Sequence, residues 1–104
     1  MYIPPLYKVE DPAAIAAFLR QNNFAAIISH DGDQLLATHA AMEVTEQPSG
    51  RLAIYGHIAR ANPQWQTFGE QELLLIFEGP HTYISPRWYN HANVPTWNYM
   101  MAHV

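Results

Sequence analysis

The segment RLAIYGHIARANPQWQTF, residues 51–68, reads as a strand that runs into a polar turn and then a short helix. Leu52, Ile54 and Ile58 alternate with Ala53, Tyr55, His57 and Ala59, the period of two expected of a half-buried strand. Gly56 interrupts the pattern and marks a place where a backbone or ligand approaches closely. Asn62 suits an N-cap and Pro63 the first helical position, so a helical turn carrying Gln64, Trp65 and Phe68 is expected. His57 and Arg60 brought to the free N–H groups of a helix start would form an anion site. The plainer reading is a strand, a turn and one solvated arginine.

Working outward toward the N-terminus, Gln47-Pro48-Ser49-Gly50 is a turn, and Gln34 to Thr45 is a strand before it. Its two faces are Leu35, Ala37, His39, Ala41 and Leu36, Thr38, Ala40, Met42. Asp31-Gly32 is a hairpin signal that joins it to a first strand, Phe24 to His30. Before that, Asp11 and Pro12 cap a helix, AAIAAFLRQ, with Ile15, Phe18 and Leu19 on one stripe. Met1 to Val9 is expected to be an extended arm lying against the body of the protein.

Toward the C-terminus, the apolar run LLLIF between Glu72 and Glu78 reads as a fourth strand buried on both faces. Gly79-Pro80 breaks it. His81 to Ser85 is a fifth strand, Pro86 to Val94 an aromatic and polar loop, and Pro95 to Val104 a sixth strand. One N-terminal helix and six strands joined mostly by short turns predict a small antiparallel barrel, a mainly β fold.

The 104 residues, 49% of them hydrophobic, suffice for one domain with a real core. Charged residues make up 13%, against about 25% in average soluble proteins. Three tryptophans and six tyrosines accompany that low charge, a pattern that points to a surface hidden in a partner. Five Lys and Arg against nine Asp and Glu leave a net charge of −4. That balance opposes direct DNA binding, which needs clustered cations. The absence of cysteine excludes disulfides, thiolate metal sites and Cys nucleophiles. MYIPPLYK has no apolar signal region and no stretch reaches about 18 apolar residues, so a cytoplasmic protein is expected.

No nucleophile motif or Rossmann glycine pattern is present. The acids, Glu70 among them, fall mainly at turns and strand boundaries as solvated groups. Six histidines could in principle supply a metal site, for instance His39, His57 and His81, but no zinc-type spacing supports one, and none is assigned. What remains is a polar set within apolar strands: Thr38-His39, His57 to Asn62, His81 to Ser85 and Thr96-Trp97-Asn98. Hydroxyls, imidazoles and an arginine suit a phosphorylated ligand, and Trp and Tyr faces suit a flat ring. A mononucleotide such as a flavin combines the two.

The motifs MYIP at 1–4, ATHA at 37–40, GHIARANPQW at 56–65, IFEGPHTYISPRWY at 76–89 and VPTWNY at 94–99 resemble those of the PaiB-like family of FMN-binding negative transcriptional regulators. The resemblance implies a six-stranded split β-barrel of the flavin-reductase and pyridoxamine-phosphate-oxidase type. It also implies a homodimer with FMN at or near the subunit interface. His57, Ala59, Arg60 and Asn62 would then face the FMN phosphate and ribityl chain, and Thr38 and His39 would line the site from the adjacent strand. Trp97 and Asn98 would approach from the last strand or from the partner subunit. Thr38 stands where the family pattern has a serine, which keeps the hydroxyl. Family members run to about twice this length, with a further segment comparable to a small domain. That segment is expected to supply dimer contacts, flavin cover or regulatory activity. The alternatives are a flavin-dependent oxidoreductase using NAD(P)H and a shortened dimerising barrel without FMN.

Overall fold

The computed structural model describes residues 1–69 and 71–104; Glu70 lies outside them. The first regular element is helix α1, Pro12–Gln21. Asp11 caps it by accepting the Ala13 N–H at 3.3 Å, and Pro12 occupies the first turn, where no donor is needed. Asn22 ends it, donating through Nδ2 to the Phe18 carbonyl at 2.9 Å.

Five strands follow: β1 (Phe24–His30), β2 (Leu35–Glu46), β3 (Leu52–Gly56), β4 (Leu74–Ile84) and β5 (Thr96–His103). They form one antiparallel sheet in the order β3-β2-β1-β4-β5. The mainly β fold with an N-terminal helix is as expected, and it agrees in outline with a split barrel. Among the described residues the strand count is five, not six, and the sheet is not closed. The two strands read on either side of Gly79-Pro80 are one strand, β4, with a register shift against β5 between Glu78 and His81. A bulge leaves a residue outside the ladder, so a proline is tolerated there without ending the strand.

α1 covers one face of the sheet. Leu19, Ala25, Ile27, Ala40, Met42, Val44 and Phe77 form the core on that side. Three hydrogen bonds tie the region of α1 to β2: Arg20 Nε to the Val44 carbonyl at 3.0 Å, Asn23 Nδ2 to the Met42 carbonyl at 3.0 Å, and the Met42 N–H to the Asn23 carbonyl at 2.8 Å. The opposite face carries Phe24, Ala26, Ile28, Ala37, His39, Ala41, Leu74 and Ile76, as the cross-strand register requires. Among the described residues no helix packs over it, and Phe24 is 65% exposed. The expectation that the LLLIF strand is buried on both faces is therefore corrected: Phe77 is fully buried, while Leu74 is 38% exposed.

β1 pairs with β4 only over Ala26–Ile28 and Leu74–Ile76. Beyond Ile76, β4 and β5 continue as a two-stranded arm. The molecule measures 54 × 37 × 21 Å, with a radius of gyration of 17.1 Å, against about 13 Å for a compact chain of this length. The N-terminal arm also departs from expectation. It does not lie on the body: Tyr2 and Leu6 are 86% and 85% exposed, and the only regular structure there is a 3₁₀ turn, Pro5–Tyr7.

Candidate functional site

The site grows from the chain leaving β3. The strand expected to run to Ala59 ends at Gly56, opposite Met42. A Cβ at Gly56 would lie 2.6 Å from Met42 Sδ, so the glycine leaves room for the end of the Met42 side chain. His57, Ala59 and Arg60 are exposed, while Asn62 is half-buried. The Asn62 N–H donates to the Ala59 carbonyl at 2.9 Å, closing a tight turn around Arg60.

Asn62 then caps a 3₁₀ turn, Pro63–Thr67, by accepting the Gln64 N–H at 3.0 Å. The N-cap and the proline position are as expected. The helix-start anion site is not: five residues of 3₁₀ structure lack a useful dipole, and the Gln64 N–H is already satisfied. Among the described residues, the cation facing outward here is Arg60, with no carboxylate at ion-pair distance.

Beneath this turn lies a buried polar cluster that sequence reasoning did not identify. Gln64 is 2% exposed. Its Nε2 donates to the Ile27 carbonyl at 2.9 Å, to Ser29 Oγ at 3.1 Å and to the Leu36 carbonyl at 3.2 Å. Its Oε1 accepts the Thr38 hydroxyl, and Thr38 Oγ1 accepts from Asn62 Nδ2 at 2.8 Å. Thr67 Oγ1 meets Ser29 Oγ at 2.7 Å and the Gln64 carbonyl at 2.8 Å. The available signals were a serine inside the apolar run of β1 and two glutamines in a turn flanked by apolar strands.

Next to Gln64, Trp65 Nε1 donates to the Arg60 carbonyl at 3.1 Å. Trp65 and Ile58 form a wall between two hollows. One, of about 410 Å³, is lined mainly by apolar side chains, including Ile27, Ile54, Phe68 and Leu75, with His57 among them. The other, of about 390 Å³, is lined by Ile58, Arg60 and Trp65. An apolar hollow adjoining a cationic one can take a ligand with a flat apolar body and an anionic tail.

One copy of the chain thus gathers His57, Ala59, Arg60, Asn62 and Thr38. It keeps the other sequence candidates apart from them. His39 follows Thr38 on a strand and so faces the opposite side, where its ring stacks on Phe24 at 5.7 Å. Trp97 and Asn98 stand on the β4–β5 arm, paired with Tyr83 and Thr82. There Trp97 Nε1 donates to His81 Nδ1 at 3.1 Å. Among the described residues no cluster of three His, Asp or Glu could hold a metal ion, and no helix is long and apolar enough to cross a membrane.

Comparison with known proteins covers the whole chain. The family model described as "Putative FMN-binding domain" matches residues 1–104. The chain is 39% identical over 105 residues to Protease synthase and sporulation protein PAI 2 of Bacillus subtilis (strain 168). That alignment takes in 100% of this chain and 50% of the relative, so the chain spans half the length of the protein it matches.

Proposed function

We propose, from the premise that this chain belongs to the FMN-binding domain family, that the two adjoining hollows are its flavin site. The apolar hollow suits the isoalloxazine ring, and Arg60 suits the phosphate through a charge-assisted bond. His57 borders the ring and Asn62 the ribityl chain. The observation that supports this most is the shared wall of Ile58 and Trp65 between an apolar and a cationic hollow. FMN, when bound, supplies reversible electron acceptance, and the protein supplies position and electrostatics. For the longer proteins of this type we carry the reading to negative transcriptional regulation, with DNA contact made outside this acidic domain. A cytoplasmic location belongs to the same reading.

The experiment is an absorption spectrum of the purified protein followed by titration with FMN, reading flavin fluorescence and melting temperature. Flavin bands and a melting point that rises with FMN are expected, because a ligand of the folded state stabilises it by mass action. A colourless protein indifferent to FMN would overturn the reading.

A homodimer is the second part of the proposal. The chain exposes 8157 Å², whereas a compact folded chain of 11.8 kDa exposes about 5,900 Å². The excess is about 2,250 Å² per chain. Covering it on two copies would remove about 4,500 Å² in total, within the range of obligate homodimers. The uncovered sheet face and the aromatic arm, with Tyr83, Trp97 and Tyr99 exposed, are the surfaces we assign to a second copy. In such a dimer Trp97 and Asn98 would reach the flavin of the partner. Sedimentation tests this: a dimer is expected, and a monomer at micromolar concentration would refute it.

A further inference from the structure

We propose that Gln64 is a positioning residue for the phosphate-binding turn, acting with Thr38 and Asn62, and that Thr38 serves the flavin site through this latch and not by touching the cofactor. The inference rests on the flavin reading above.

The geometry forms a closed ring. Asn62 Nδ2 donates to Thr38 Oγ1, Thr38 donates to Gln64 Oε1, and the Gln64 N–H donates back to Asn62 Oδ1. From this ring the Gln64 amide reaches the carbonyls of Ile27 on β1 and Leu36 on β2. The turn is thereby fixed to two strands at once. Trp65, the next residue, passes the position on to Arg60 through its indole N–H. No buried side-chain polar atom among the described residues lacks a partner.

A leucine in place of Gln64 would fill similar volume without burying an amide. What the amide adds is a single allowed placement, since a satisfied buried network specifies one arrangement and a half-satisfied one is costly. The Thr38 hydroxyl is used in both directions, as donor to Gln64 and acceptor from Asn62. A serine could make both contacts and a valine neither.

The test compares Thr38→Val, Thr38→Ser and Gln64→Leu with the unmodified chain. Affinity is measured for FMN and for riboflavin, which lacks the phosphate. The rate of tryptic cleavage after Arg60 is measured relative to cleavage after Arg51. Thr38→Val, matched in shape, is expected to weaken FMN about tenfold, to weaken riboflavin less and to speed cleavage after Arg60. Thr38→Ser is expected to restore all three. Gln64→Leu is expected to act in the same direction, and Thr38→Val decides the matter if that protein does not fold. Equal losses for FMN and riboflavin, or unchanged cleavage after Arg60, would overturn the latch. If the unmodified chain takes up no flavin, the flavin reading fails, and the cleavage rates alone still decide whether Gln64 and Thr38 hold the turn.

Discussion

Phe18 lies directly against the backbone of Gly79. A Cβ placed on that glycine would stand 2.6 Å from Phe18 Cε2 and 3.1 Å from the Met100 carbonyl oxygen. Helix α1 thus seats an aromatic ring on the bulge at the root of the β4–β5 arm, and only a residue without a side chain lets it approach. Gly79→Ala is expected to destabilise the fold by about 1–3 kcal/mol, the usual cost of overpacking. Urea denaturation would show a lowered midpoint with unchanged slope.

Phe77, one turn of the pleat earlier, is fully buried and joins β4 to the core under α1. Phe77→Ala is expected to cost about 3–5 kcal/mol. Total stability of such a domain is about 5–15 kcal/mol, so a largely unfolded population at 37 °C is the expected outcome. Circular dichroism melts would reveal it.

Arg60→Ala is expected to lose about 1.5 kcal/mol of FMN affinity, roughly tenfold, with riboflavin affinity unchanged. Arg60 is exposed, so the difference between the two proteins should shrink at high salt. Isothermal titration at two ionic strengths checks both parts.

Asp31 governs the hairpin between β1 and β2. Its Oδ1 accepts the N–H groups of Gln34 and Asp33, each at 2.9 Å. These bonds, the one from Gln34 first, hold its carboxyl below the ordinary value of 3.8. A depressed folded value means that this stabilisation is fully present above pH 3.8 and is lost as pH falls through the folded value. The stability gap between the natural chain and Asp31→Ala should therefore close in acid. A gap that stays constant down to the lowest pH at which both proteins fold would contradict this, as would a carboxyl titrating above 3.8 by NMR.

Trp97→Glu is expected to convert a dimer to a monomer in sedimentation without loss of the core, because Trp97 is 54% exposed and its aromatic neighbours, His81 and Tyr83, stand with it on the arm. A charge placed in the centre of an aromatic interface is costly to bury unpaired. Unchanged sedimentation would remove the arm from the interface.

Much of the fold was legible because its signals are local. The cap at Asp11-Pro12 and the Asp31-Gly32 hairpin depend on neighbours a few positions away, and each stands where it was read; the alternating strand read over residues 51–59 is shorter, Leu52–Gly56, with Leu52, Ala53 and Ile54 all half-buried. Gly79-Pro80 misled because a strand end and a bulge use the same residues, and only the partner strand distinguishes them. The turn at Arg60 was legible as a motif. The part played by Gln64 was not, since its partners Ile27, Leu36 and Thr38 are 26 to 37 positions distant.

By itself the sequence determined the class of fold, the family and the run of polar residues from His57 to Asn62, because period, capping and motif order are carried along the chain. Only the tertiary structure decided which face of β2 carries the site, so that Thr38 joins it and His39 does not, that β4 crosses its own proline, and that one side of the sheet and the arm are left uncovered. Those outcomes follow from register and from which elements cover which face. They are set by contacts between strands far apart in the chain, where a pattern read along one strand does not reach.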